Sequence, residues 1–267
     1  MSPAIDAAGG VEILAYDCIS LTRHEMIGIV TLQRPQALNA LNHQMIEELE
    51  QVFMELETDE KVKAVIITGE KHFAAGADIN DMLDFNPEQA RAFSFRHCFA
   101  RIEAFPKPVL AAISGFALGG GLELALVCDW RIADNTARLG LPEINLGIFP
   151  GAGGTLRLPR LIGAARAKEM IFSGKPINAQ QALEYGLINQ LADDALAEAI
   201  QTAEMLASKP PVALKLAKQC INQAFDMDGV KAIEFESVAW ASCFATRDQR
   251  EGMKAFIEKR KPEFTGT

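Results

Sequence analysis

Two glutamates stand in places where a carboxylate is expensive to keep. Glu123 lies in "ALGGGLELALVCDW", directly after three consecutive glycines, and is the only charged residue between Val109 and Cys128. Glu143 follows twenty residues later in "GLPEINLGIFPGAGG", again among apolar neighbours. Apolar surroundings strip water from a carboxylate and raise its pKa toward the range in which it exchanges protons near neutral pH. The pair are therefore candidates for a general acid and a general base. Each also has a plainer reading. A glutamate in the first turn of a helix offsets the helix dipole, and Glu143 could cap a helix or pair with Arg131.

The glycines beside Glu123 suggest what the carboxylates would act on. A strand ending near Leu118 and a helix starting in Gly119–Gly121 would leave backbone N–H groups free at the helix start. With the helix dipole behind them, such groups suit an oxyanion or a phosphate oxygen, and glycine lets that atom come close. The dinucleotide spacing GxGxxG, counted from Gly119, needs a glycine where Leu124 stands, and the GK[ST] of a Walker loop is absent. A second segment, "KHFAAGADINDM" at 71–82, follows the strand-like "VIITG" and runs from small residues into a helix. Ala77 and Gly120 thus each follow a predicted strand, where open α/β sheets bind ligands. Two N–H donors from two loops could together hold one developing negative oxygen. The turn from Gly151 to Gly154 could bring another N–H, although such a turn is most often only a turn.

These groups need elements to position them. "IGIVTLQR" reads as a strand, and "NHQMIEELEQVFMELETD" as an amphipathic helix with Met45, Leu49, Phe53 and Leu56 on one face. "VKAVIITG" is a second strand bounded by glycine. Residues 87–104 read as helical, "PVLAAISGFAL" as one buried strand, and one strand-like segment separates Glu123 from Glu143. Near-continuous apolar strands alternating with helices indicate an α/β fold with parallel pairing. From Asp194 onward the pattern is helical only, over 194–207, 211–224, 229–244 and 246–259. The expected organisation is an α/β core over 1–193 carrying the active site and a C-terminal helical region over 194–267, with no long linker between them.

Composition narrows the partners. The 267 residues are 49% hydrophobic and 23% charged, with a net charge of -9. That balance opposes broad nucleic-acid binding, and an anionic ligand would need a local basic patch. The glycine-rich apolar stretch is long enough for a membrane span, but three glycines at its middle each cost about 1 kcal/mol in a helix, and its flanks lack a one-sided basic cluster. Five cysteines and four histidines show no metal-ligand spacing, so no metal site is expected. The odd cysteine count, and an N-terminus without a signal-peptide or transit-peptide layout, point to reduced thiols and a cytoplasmic chain, or a mature chain from which a targeting segment is already gone.

The segments "FAAGADI", "GFALGGGLELAL", "LGLPEINLGIFPGAGGTLRLPR" and "FATRDQREGMKAFIEKRKPEF" resemble the crotonase (enoyl-CoA hydratase/isomerase) family, in its order and spacing and over nearly the whole chain. The resemblance implies a spiral core of ββα repeats with a C-terminal helical region, assembled as trimers and often as dimers of trimers. It implies that Ala77 and Gly120 supply the oxyanion-hole N–H groups and that Glu123 and Glu143 are the catalytic glutamates. It further implies that Gly151 helps to hold the water. Asp78, Ile79 and Asn80 would then lie along the acyl-CoA site, and Ala75 near the adenine. Gln33 replaces the usual Asn of "NRP" and Phe116 the commoner Tyr; neither touches the chemistry.

The activity so implied is a hydro-lyase, an enoyl-CoA hydratase adding water syn to a trans-2-enoyl-CoA, as in fatty-acid β-oxidation, with CoA part of the substrate and no cofactor or metal. Lys71, Lys259, Arg260 and Lys261 are candidates for the CoA phosphates. The alternatives are an isomerase or dehydratase acting on a specialised acyl-CoA and, in another class, an RNA-binding relative. For the last, only Arg91, Arg96 and Arg101 offer a basic helix, and their spacing spreads the charges around it.

Overall fold

In the computed structural model, which describes residues 4–5, 12–92 and 95–267, eight strands form one large sheet and three a small one. The large sheet runs β1 (Ala4–Ile5), β2 (Glu12–Ala15), β3 (Ile19–His24), β4 (Ile27–Leu32), β5 (Ala64–Gly69), β6 (Val109–Ile113), β8 (Trp130–Asp134), β11 (Gln190–Ala192); β7 (Phe116–Leu118), β9 (Arg138–Gly140) and β10 (Ile177–Asn178) form the small one, in the order β10-β9-β7. The helices are α1 (His43–Thr58), α2 (Ile79–Met82), α3 (Pro87–Ala92), α4 (Phe95–Glu103), α5 (Gly120–Leu126), α6 (Gly154–Ile162), α7 (Ala164–Ser173), α8 (Ala179–Tyr185), α9 (Ala195–Ala207), α10 (Pro211–Gln223), α11 (Gly229–Cys243) and α12 (Arg247–Glu258).

The expected parallel pairing holds from β4 to β11 but not before it. β1 to β4 pair antiparallel, with Ile19 opposite Leu32 and His24 opposite Ile27. The reason is connection length. Only Glu25 and Met26 separate β3 from β4, enough for a hairpin and far too few for a crossover, whereas α1 supplies one between β4 and β5.

A second correction concerns "PVLAAISGFAL", which is two strands in two sheets. Gly115 between them has φ +56, and a Cβ there would sit 2.2 Å from His72 Nδ1 and 2.5 Å from the Lys71 carbonyl oxygen. Only glycine takes this corner comfortably. It swings β7 out of the large sheet to pair with β9, parallel, Ala117 opposite Leu139. The interval between Glu123 and Glu143 likewise holds two strands, β8 and β9, rather than one.

Both faces of the parallel strands are covered, which is why they read as unbroken apolar runs. On one face α1 buries Met45, Ile46, Leu49, Val52, Phe53 and Leu56, a wider stripe than the four positions expected. Val65 and Ile67 of β5 face this cluster. Ile66 faces the other side with Ile29, Leu110 and Ile132, where α9 lays Ala195, Ala199 and Ala203 against them. The first helix beyond residue 194 therefore packs on the large sheet. α10 packs on α11, and α10–α12 carry exposed Ile221, Val230, Ile233, Trp240, Phe256 and Ile257. Among the described residues no helix is long and apolar enough to cross a membrane.

Candidate active site

The surroundings of the two candidate N–H donors, Ala77 and Gly120, are built from main chain. Ala74 pairs with β7 through Ala74 N–H to Phe116 O (2.8 Å) and Leu118 N–H to Ala74 O (3.0 Å). Three residues on, Leu41 forms a parallel bridge to Ala77: Leu41 N–H donates to Gly76 O (2.7 Å) and Leu41 O accepts from Asp78 N–H (2.8 Å). Because Leu41 bonds to the residues on either side of Ala77, the N–H of Ala77 itself turns away from Leu41. It turns toward the start of α5. The Cβ position of Gly120 lies 3.5 Å from Ala77 N and 3.3 Å from the Phe95 ring. Gly120 is the first residue of α5, so its N–H has no helical partner. Among the described residues no hydrogen bond takes either N–H.

Glu123 sits in the first turn of α5 and is only 3% exposed. It does more than offset a dipole. Its Oε1 accepts from Ala152 N–H (2.8 Å) and Gly154 N–H (2.7 Å), both in the glycine-rich turn. Burial pushes its pKa up, while those two N–H groups and the Arg157 charge pull the other way. Gly151 itself is exposed; the residues that hold Glu123 are its neighbours Ala152 and Gly154.

Glu143 is presented differently. It lies in a single 3-10 turn, Pro142–Leu146, closed by Gly147, whose N–H donates to the Glu143 and Ile144 carbonyls. Its Oε1 is 3.2 Å from the Cβ position of Gly119, so the carboxyl leans over the entrance to α5. Among the described residues its buried Oε2 has no hydrogen-bond partner. Burial, aided by the nearby Glu123 charge and opposed by its own backbone N–H, moves its pKa up to about 7. Arg131 is not its partner; the buried guanidinium donates to the carbonyls of Leu187 (2.8 Å) and Cys128 (2.7 Å), tying β8 to the β11 side. The two carboxyls of one site thus sit in different surroundings: burial raises both, but Glu123 accepts two backbone N–H groups that hold its rise back.

The other expected positions follow the Ala77 loop. Asp78 caps α2 by accepting from Asn80 N–H (3.1 Å) and pairs with Arg34 (3.0 Å), which holds its carboxyl below the usual range. Ala75 donates to Leu38 O (3.0 Å); Ile79, Asn80 and Lys71 are exposed along the same loop. Arg260, at the end of α12, is held by Glu251 and Glu258, flanked by exposed Lys259 and Lys261. Arg91 lies on α3 and Arg96 and Arg101 on α4, with residues 93 and 94 between them outside the described set; Arg101 approaches Glu57 at 3.7 Å. Among the described residues no three His, Cys, Asp or Glu side chains gather as a metal site.

Sequence reasoning missed Arg157 and Glu103. Arg157 Nη1 donates to Ala152 O (3.0 Å), and its fork grips Glu103 through Nε–Oε1 (2.8 Å) and Nη2–Oε2 (2.6 Å). A basic residue one turn into a helix carries no signal that it reaches back to the preceding turn.

The family model for enoyl-CoA hydratase/isomerase matches residues 22–267. The chain belongs to the enoyl-CoA hydratase/isomerase family. It is 47% identical over 253 residues to a short-chain-enoyl-CoA hydratase of Clostridium acetobutylicum, covering 92% of this chain and 96% of that one. A crotonyl-CoA hydratase of Syntrophomonas wolfei is 43% identical over 94% of this chain and 99% of its own. The fold is the crotonase fold of this family: an enoyl-CoA hydratase from Bacillus anthracis superposes with a TM-score of 0.89 at 41% identity, covering 94% of this chain and 100% of that structure.

Proposed function

We propose that this chain is an enoyl-CoA hydratase, a hydro-lyase adding water reversibly to short trans-2-enoyl-CoA thioesters. The observation that carries the reading is the convergence, at the start of α5, of two unengaged N–H groups and two carboxylates with separated proton affinities. The short-chain preference is supported by the relatives' names.

Hydration makes a C3–O bond and a C2–H bond. As water oxygen bonds C3, the C2–C3 π electrons move toward the thioester and its oxygen takes the charge. Ala77 and Gly120 N–H receive that oxygen; fixed donors in a dry site favour the enolate over the less charged substrate carbonyl. Glu123 takes a proton from the water, which the Gly151 N–H helps to hold, and Glu143 gives its own to C2. Both act from one face, so addition is syn. The proton then rests on Glu123 instead of Glu143, and exchange through water restores the starting state. Nothing in these steps calls for a metal or redox group, and CoA arrives with the substrate. Ala75, Asp78, Ile79 and Asn80 line the acyl-CoA path, with Lys71 and Lys259–Lys261 the cations for its phosphates.

The exposed apolar side chains of α10–α12 support self-association as a trimer or dimer of trimers, and the unpaired cysteines support a cytoplasmic setting. The decisive test is Glu143→Gln, which keeps size and removes the transferable proton. Crotonyl-CoA hydration and C2 proton exchange should fall by at least about a thousandfold, within the range acid–base groups supply. Near-normal turnover by the folded variant would sink the reading.

A further inference from the structure

The turn that holds Glu123 is itself held, and by a device outside the acid–base pair. Ala152 and Gly154 N–H both reach Glu123 Oε1, and the peptide between them, Ala152 C=O to Gly153 N, is the one Arg157 grips from behind. The turn is shaped around that guanidinium. Gly153 has φ +107, and a Cβ there would lie 1.9 Å from Arg157 Nη1; a Cβ on Gly154 would lie 3.0 Å from Glu123 Oε1. The arginine has little freedom of its own, because its two remaining nitrogens are committed to Glu103 on α4 and its side chain is only 14% exposed. Glu103 is anchored in turn: Asn222 of α10 donates to its carbonyl oxygen (3.1 Å).

We propose that Arg157, clamped by Glu103, is the positioning residue for Glu123. It fixes the peptide plane that aims two N–H groups at a single carboxylate oxygen. Among the described residues no hydrogen bond reaches the other oxygen, Oε2, which is thereby kept for the water. A bidentate fork is what this task requires: a lysine could supply the charge but not hold a carbonyl and a carboxylate in one plane. The charge matters as well. It favours the ionised form of Glu123, the form that accepts the water's proton. The two functions separate experimentally. Geometry sets how fast the water is delivered, and charge sets the pH at which Glu123 is available.

This rests on the hydratase reading of Glu123, which crotonyl-CoA turnover by the unaltered enzyme tests by itself. Arg157→Lys and Arg157→Gln are compared with it for kcat, KM and the pH profile of kcat/KM. In Arg157→Lys, kcat should fall on the order of tenfold to a hundredfold, the usual consequence of a misplaced reacting group. Its KM for the thioester should change less than threefold, and its acid limb should stay in place. Arg157→Gln should lose at least as much kcat and move the acid limb to higher pH. A residue that merely stabilised the fold would lower the melting temperature and leave that limb where it was. Folded Arg157→Gln with kcat within twofold of the parent and an unmoved limb overturns the proposal. Should Arg157→Gln not fold, Glu103→Gln decides, since it loosens the fork at a partly exposed residue: a kcat loss of about threefold or more supports the proposal, and an unchanged kcat overturns it. If the parent enzyme is inert toward crotonyl-CoA, the Glu123 carboxyl is titrated by carbon-13 NMR instead. An upward move in Arg157→Gln supports the clamp whatever the reaction, and identical titrations overturn it.

Discussion

At the scale of single residues, two chemically identical side chains stand in different surroundings, which suit the opposite roles proposed for them. Glu123 is almost wholly buried yet receives two N–H groups, whereas Glu143 keeps a buried oxygen with no partner among the described residues. One proton shared by the pair therefore rests on Glu143, whose pKa of about 7 is set first by burial. In the proposed mechanism the active free enzyme carries that single proton. Below the Glu123 pKa the pair holds two protons and no base is left; above about 7 it holds none and no acid is left. Because the reaction consumes only water, its equilibrium constant does not depend on pH, so the two directions must share one profile. We expect kcat/KM for crotonyl-CoA hydration and for 3-hydroxybutyryl-CoA dehydration to fall together as pH rises through about 7. Stopped-flow assays in both directions from pH 5 to 9 check this. A flat profile up to pH 9 would remove Glu143 as the proton donor.

At the scale of elements, positions that read well in the sequence were those where chemistry and local structure leave the same mark. Three glycines followed by Glu123 announce both a helix start and an approach to backbone, and α5 begins at Gly120. The amphipathic α1 was legible from its periodicity, and its N-cap Asn42 accepts from Met45 N–H (3.0 Å). What was not legible depends on which sheet a strand joins. "PVLAAISGFAL" is apolar throughout, so its periodicity carries no break, and only the Ser114–Gly115 pair marks the corner. The reach of Arg157 back to Ala152, and the alanine face that seats α9, were equally silent because they exist only after packing. The Gly115 corner carries its own prediction. Gly115→Ala combines a left-handed φ with overlap against His72 and the Lys71 carbonyl. It should cost at least about 1–3 kcal/mol of stability, the usual scale of such strain. It should also reduce turnover, since β7 leads directly into Gly119 and Gly120. Urea melts and crotonyl-CoA assays would show it; a variant as stable as the parent would mean that the corner can be made another way.

At the scale of the whole molecule, the large sheet is closed on both faces, by α1 and by α9, while α10–α12 leave large apolar groups in the open. Trp240 is 65% exposed and Phe256 85% exposed, far more than a soluble chain leaves uncovered over so short a stretch. Burial between copies is the simplest way to cover them. Multi-angle light scattering at assay concentration should give three or six times the 29.0 kDa chain mass. An active species at one chain mass would refute the assembly. Charge bears on the same scale. A chain with a net charge of -9 repels a CoA-bearing substrate at long range, so raising ionic strength should not slow capture as it does for a steered partner.

The Leu41–Ala77 bridge has a consequence for how such a protein can change over generations. In the proposed mechanism the half of the site that receives negative charge consists of peptide groups held by other peptide groups, and most substitutions at Leu41 leave those atoms in place. The half that moves protons consists of two side chains, each one codon away from losing its function. A single mutation can thus erase the hydration step while the means of stabilising a thioester enolate survives intact. Descendants of this chain inherit a general-purpose electrophilic cradle together with two replaceable tools, and new reactions are open to them by exchanging the tools alone.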